Sequence, residues 1–174
     1  MNVREVSVRV LYPTEHNFKA FGRLIKLPSA SPSVSASGVL DYWDQVANLE
    51  LDGGQAELGF LVTKRRPFEF NTMERHVKSD EAFIPLEGKA CIFALAPASA
   101  RSSPQQLPDP SQVTAFILDG SFGANLNAGV WHWAPFPLSD SISFVLALRR
   151  GTVEEDIDLR DFTKELGVTF KLAL

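Results

Sequence analysis

The chain is 174 residues long, 45% hydrophobic and 22% charged, with 17 basic against 21 acidic side chains and a net charge of -4. That length predicts one domain, residues 1–174, with a full core that needs no staples, and 13 Phe against 2 Met make that core aromatic. The mild acidity without a basic block argues against nucleic acid as a partner; no apolar stretch reaches the about eighteen residues of a membrane span, and the N-terminus lacks a signal-peptide layout, so the expected location is the cytoplasm, with no membrane partner.

In chain order, Val6 to Leu11 alternates well enough for an edge strand that Tyr12-Pro13 ends. Thr14 is placed to cap a short helix over Glu15 to Ala20, whose Phe18 and Phe21 face the sheet before Gly22 stops it. A strand resumes at Leu24 to Leu27. Residues 28–38, PSASPSVSASG, form a Ser/Pro-rich loop without a core-forming pattern, short enough to act as a flap. From Val39 onward short strands alternate with turn signals at roughly ten-residue spacing, the pattern of an all-β sandwich or barrel. The candidates are Asp41 to Leu49, Ala56 to Thr63, Phe68 to His76, Ala82 to Pro85, Ala90 to Ala96, Val113 to Leu118, Ala124 to Asn127 and Ser141 to Leu148. The single cysteine, Cys91, sits in an apolar strand and reads as core, because burial raises a thiol's pKa and leaves it unreactive. Residues 97–111 form a second long loop, and Val153 to Leu166 reads as an irregular or briefly helical tail with a solvated acidic run at Glu154-Glu155-Asp156.

Two stretches carry chemistry. In Met73 to Gly88, MERHVKSDEAFIPLEG, Glu74 and His76 are two apart, so on an extended strand both leave the same face of the sheet. Glu81 then opens the apolar run Ala82-Phe83-Ile84, and a carboxylate entering a buried strand needs a partner: a metal ion, a cationic side chain or a substrate's counter-charge. In Gly120 to Phe136, GSFGANLNAGVWHWAPF, Gly129 supplies a left-handed turn and His132 follows between Trp131 and Trp133. Each stretch alone is ordinary, a polar strand face and a satisfied core histidine. Together they matter, because a barrel of Greek-key strands brings segments roughly fifty residues apart onto facing walls.

Glu74-x-His76, Glu81 and Gly88, followed by Gly129-x-x-His132, resemble the paired motifs of cupins. The wording ERH, AFIPLEG and GVWHWAPF is similar to that of the bacterial ureidoglycolate lyases, formerly called ureidoglycolate hydrolases, and the likeness runs from about Val8 into the C-terminal strands. The resemblance implies a double-stranded β-helix, a cupin-like jelly-roll barrel with one or two short helices. It also implies a carbon–nitrogen lyase of purine and allantoin catabolism that cleaves ureidoglycolate, or a related small ureido or hydroxy acid, to glyoxylate and urea. Two departures stand out: Leu126-Asn127 where members carry Tyr-His, and His132-Trp133 where they carry His-His. The alternative they leave open is a non-catalytic or altered-chemistry cupin that binds a small polar ligand.

If the resemblance holds, His76, His132 and Glu81 are the expected ligands of a divalent metal (Ni, Zn, Mn or Fe), since two imidazoles and a carboxylate leave positions open for a bidentate substrate. Glu74 and His132 are the catalytic candidates, with Glu74 as acid/base; spacing does not exclude the reverse, Glu74 as ligand and Glu81 as base. Arg65, beside Lys64 and Arg66, is a candidate clamp for a substrate carboxylate. Asn127, Trp131 and Trp133 complete the substrate-contacting set, with one of the tryptophans expected to face inward. An aromatic sheet with edges to cover, and the habit of cupins, point to a homodimer.

Overall fold

Alternation in the strands splits their side chains between two cores, and that division determines where the functional groups end up. A computed structural model describes residues 3–99 and 106–174; residues 100–105, part of the loop expected at 97–111, lie outside the described residues. The N-terminal elements are β1 (Arg4–Leu11), α1 (Glu15–Phe18), β2 (Gly22–Ile25), β3 (Val34–Ala36), β4 (Leu40–Tyr42) and β5 (Ala56–Lys64). The middle of the chain forms β6 (Glu69–Phe70), β7 (Thr72–Arg75), β8 (Glu81–Pro85), β9 (Cys91–Ala96), β10 (Thr114–Leu118), β11 (Gly123–Leu126), β12 (Trp131–His132) and β13 (Phe136–Pro137). β14 (Ser141–Arg149), α2 (Thr152–Glu155), β15 (Asp158–Asp161), α3 (Phe162–Leu166) and β16 (Val168–Ala173) complete it. The all-β expectation holds, with three short α-helices among the described residues where one or two are predicted. No helix among them is long and apolar enough to cross a membrane.

The larger sheet has the order β15-β7-β12-β9-β10-β1-β16-β6, with β13 also paired to β9; the smaller has the order β2-β11-β8-β14-β5. The chain steps from one sheet to the other between β7 and β8, and again between β11 and β12. Each of the two sequence motifs therefore contributes one strand to each wall, the double-stranded arrangement that brings distant motifs face to face.

Between the sheets lies a core of Phe18, Phe21, Phe83, Phe93, Leu95, Phe116 and Phe144, with Phe83 edge-on to Phe93 at 4.7 Å and Phe18 edge-on to Phe116 at 5.1 Å. Removing each such ring from water is worth about 1.5–3 kcal/mol, and edge-to-face geometry adds to that. The alternate residues of the same strands, Ile92, Ala94, Ala96 and Ala115, face a second core with Met73, Trp131, Phe136, Phe162 and Phe170. β9 is buried at every position because it separates the two cores.

Several expectations change. The first strand is not an edge: β1 pairs in parallel with β10 on one side and with β16 on the other. The expected helix ends at Phe18 and is held by a reciprocal box, Thr14 Oγ1 accepting from Asn17 N and Asn17 Oδ1 from Thr14 N. Gly22 does not stop it but opens β2. The strand expected over Asp41 to Leu49 shrinks to β4, which forms a small hairpin with β3 inside the Ser/Pro-rich segment; beyond Tyr42 no period-two pattern sustains a ladder. Phe68 to His76 divides into β6 and β7 and stops one residue short of His76.

Candidate metal and acid–base site

Glu74 of β7 is the Cα partner of His132 in β12, so their side chains share one face of the larger sheet. His76, two residues on, keeps that direction just beyond the end of β7. Glu81 arrives from the opposite wall as the first residue of β8, paired with Leu126. Four groups from both sheets thus meet. Glu81 Oε2 lies 3.1 Å from His132 Nε2 and 3.5 Å from His76 Nε2; Glu74 Oε1 is 3.9 Å from His132 Nε2; and the two imidazole centroids are 5.3 Å apart. The ligating atoms of Glu74, His76 and His132 all fall within 4.8 Å of one another. His76, His132 and Glu81 are buried, whereas the Glu74 side chain keeps 25% of its surface exposed.

The far side of each ring is committed to the backbone. His76 Nδ1 faces the carbonyl of Asp156 at 2.8 Å, and His132 Nδ1 faces that of Val130 at 3.1 Å. A carbonyl only accepts, so Nδ1 carries the proton and, in the neutral ring, Nε2 presents its lone pair to the interior. Glu81 Oε2 is a buried atom without a hydrogen-bond partner among the described residues, set between those two nitrogens. Burial resists the charge on His76, but Glu81 beside it and the Asp156 carbonyl outweigh that and raise its pKa to about 9. Burial likewise works against ionised Glu81, and the His132 and His76 rings override it, bringing the carboxyl to about 2. Without a cation the cluster is held by a proton on His76. Two oriented Nε2 atoms with a buried carboxylate oxygen between them are also the donor set that a first-row divalent ion takes, so the residues fit such a metal.

Two buried aspartates that the spacing of the motifs did not single out hold this arrangement. The Asp80 carboxylate accepts from Ala128 N at 2.8 Å and Glu50 N at 3.2 Å, joining the first motif to the turn of the second. Asp156, expected with Glu154 and Glu155 in a solvated acidic run, is buried instead, because its carboxylate accepts from Val77 N and Lys78 N at 3.0 and 2.7 Å. Gly129, at φ +86°, adopts the left-handed turn that its residue type predicts and donates its N–H to His76 O at 2.5 Å.

The other candidates are distributed differently. Asn127 lines the niche with His76, Ser79, Glu81, Leu126, Val130 and His132. It also lines a cavity of about 870 Å³ walled by α1, β2 and the excursion that carries the β3–β4 hairpin. Arg65 is exposed and donates to Leu138 O at 3.2 Å, and it is not among the side chains lining the niche. Arg66 donates to the carbonyls of Ala134 and Pro135 and covers the Phe136 ring at 3.9 Å. Neither tryptophan faces inward. Period two puts Trp131 and Trp133 together on the face opposite His132: Trp131 is enclosed in the second core, with the Arg75 guanidinium 4.5 Å above its ring, and Trp133 packs against the same core.

The family model described as ureidoglycolate lyase matches residues 4–169. A ureidoglycolate lyase of Azotobacter vinelandii is 34% identical over 138 residues, covering 77% of this chain and 80% of that protein. One from Burkholderia mallei is 28% identical over 142 residues, covering 79% of each, and one from Brucella abortus is 24% identical over 175 residues, covering 97% of this chain and 98% of its own. Among solved structures, RmlC from Streptococcus suis in complex with dTDP-D-xylose aligns with a TM-score of 0.36 at 10% identity, covering 55% of this chain and 44% of that one.

Proposed function

The chain belongs to the ureidoglycolate lyase family, and from that premise we propose that it cleaves ureidoglycolate to glyoxylate and urea at the cluster of Glu74, His76, Glu81 and His132. The observation that carries the proposal is the convergence of two backbone-oriented imidazoles and a buried carboxylate from opposite sheets.

The reaction is the collapse of a carbinolamide: the hydroxyl proton leaves, the carbon–nitrogen bond breaks to form the aldehyde of glyoxylate, and the departing urea nitrogen is protonated. His76, His132 and Glu81 would hold the divalent ion, which supplies a Lewis acid that lowers the pKa of the substrate hydroxyl. Glu74 is the most exposed of the four groups, lies 3.9 Å from His132 Nε2, and takes the hydroxyl proton. The same carboxyl then returns it to the urea nitrogen. His132 positions substrate and Glu74 relative to each other. Asn127 lines both the niche and the large cavity, which supports entry of substrate past this residue.

A second assignment has its own support: the ligating atoms of Glu74, His76 and His132 all lie within 4.8 Å of one another. Glu74 would then be the ligand and Glu81 the base. Urea release from ureidoglycolate, measured together with metal content of the purified protein, tests both. Under the first assignment Glu74→Gln loses about 10²–10⁴ in kcat and keeps its metal, whereas Glu81→Gln loses the metal. The reverse outcome selects the second assignment, and a metal-replete wild-type protein that releases no urea overturns the lyase reading. We also assign the protein to a homodimer formed through the outer face of the smaller sheet, where Leu58, Phe60, Val62, Ile84 and Leu86 are all exposed.

A further inference from the structure

His76 lies one residue past the last ladder position of β7, so the sheet does not hold its ring. What holds it comes from the other end of the chain. Asp156 follows α2, an element whose N-terminus is anchored by the buried Thr152, Oγ1 donating to Arg149 O at 2.7 Å. The Asp156 N–H closes back on Thr152 O at 3.0 Å, which leaves its carbonyl and carboxylate turned toward the first motif. The carbonyl receives His76 Nδ1 at 2.8 Å, while the two carboxylate oxygens take the N–H groups of Val77 and Lys78 at 3.0 and 2.7 Å. One buried residue therefore secures three consecutive residues, including the imidazole that completes the site.

We propose that Asp156 is a positioning residue that sets the orientation and tautomer of His76 for the reaction at the site. It touches neither substrate nor metal ligand positions with its carboxylate; it acts through the backbone of residues 77–78, which keeps the His76 ring in register with its own carbonyl. The geometry is that of an outer partner fixing a ligand imidazole through Nδ1, and loss of such partners lowers activity or metal affinity about 10–100-fold. The inference rests on the reading of His76 as a functional group.

The test compares Asp156→Ala, Asp156→Asn and the exposed control Glu154→Ala at a temperature where all are folded. The first measurement is ¹H–¹⁵N NMR of the ring nitrogens, tractable because the chain has 3 His; the second is amide exchange at Val77 and Lys78; the third is kcat and KM for urea release. In Asp156→Ala the His76 Nδ1 signal shifts or is lost, both amides exchange faster, and kcat falls about 10–100-fold with a much smaller change in KM. Asp156→Asn keeps one accepting oxygen and is intermediate, which also decides the matter if the alanine variant does not fold. Glu154→Ala behaves as wild type. A variant that only melts earlier, with the His76 ring signal and kcat within about twofold of wild type, makes Asp156 a structural residue and overturns the proposal. If the wild-type protein releases no urea, the lyase reading fails, and the ring signal and amide exchange still decide the role of Asp156.

Discussion

Glu81 enters the interior as the first residue of β8, and its neighbours there determine the charge of the whole cluster. Burial opposes both charges, yet the His132 and His76 rings hold its carboxyl near 2, and Glu81 in turn holds the His76 ring near 9. For Glu81 the folded-state pKa lies below the ordinary 4.5, so its contribution to stability is present above that value and is lost as pH falls toward 2. For His76 the folded-state pKa lies above 6.5, so its contribution is complete below that and is lost as pH rises toward 9. Chelator-treated protein should therefore melt highest between these limits and lose stability on both sides, as followed by calorimetry across pH. A divalent ion competes with the His76 proton, so added metal should raise the melting temperature most on the alkaline side; equal stabilisation at every pH would contradict the assigned donor set. Cys91 is the opposite case: burial alone pushes its thiol up to about 12. Iodoacetamide should leave it unmodified in the native protein and alkylate it on unfolding, as read by mass spectrometry. Its burial was legible in the sequence from the apolar run around it.

At the scale of elements, β2 shows how one residue sets an edge. Gly22 has φ +151°, and a Cβ there would sit 1.9 Å from the carbonyl oxygen of Asn125 on β11. Gly22→Ala should destabilise the protein by about 3 kcal/mol, measured from the denaturant midpoint, because backbone on a neighbouring strand cannot move aside as a flexible side chain can. Its residue type marked the position as a break in the chain; only the pairing with β11 shows a close backbone approach. β16 is a similar case: Val168, Phe170 and Leu172 are buried and alternate with outward residues, yet its parallel pairing is what makes β1 an interior strand. Alternation tells which residues are buried; it does not tell which strand lies alongside.

Across the whole molecule, the smaller sheet ends on β5, nine residues long and paired on one side with β14. Its outward residues are Leu58, Phe60 and Val62, and Phe60 is 66% exposed; Val145 and Ile84 continue the row across the adjoining strands. An apolar face on a long edge strand invites association. The protein should run at twice the chain mass by light scattering, and Phe60→Asp should return it to the monomer while urea release is unchanged, because the residue faces away from the His76–His132 cluster. A wild-type monomer at micromolar concentration would remove the homodimer assignment.

Period two and local chemistry were enough to specify an all-β chain, Glu74 and His76 on one face, a left-handed Gly129 and a buried Cys91. The sequence also contained both halves of the site as separate motifs. Which strand neighbours which, the place of both tryptophans in the second core, the bond of Arg65 to the backbone at Leu138 and the bracing by Asp80 and Asp156 emerge from the folded chain alone. The physical reason is separation along the chain. The bonds of Asp156 to residues 76–78 span 78 to 80 positions, and a hydrogen bond between such distant groups leaves no periodic trace in the sequence on either side.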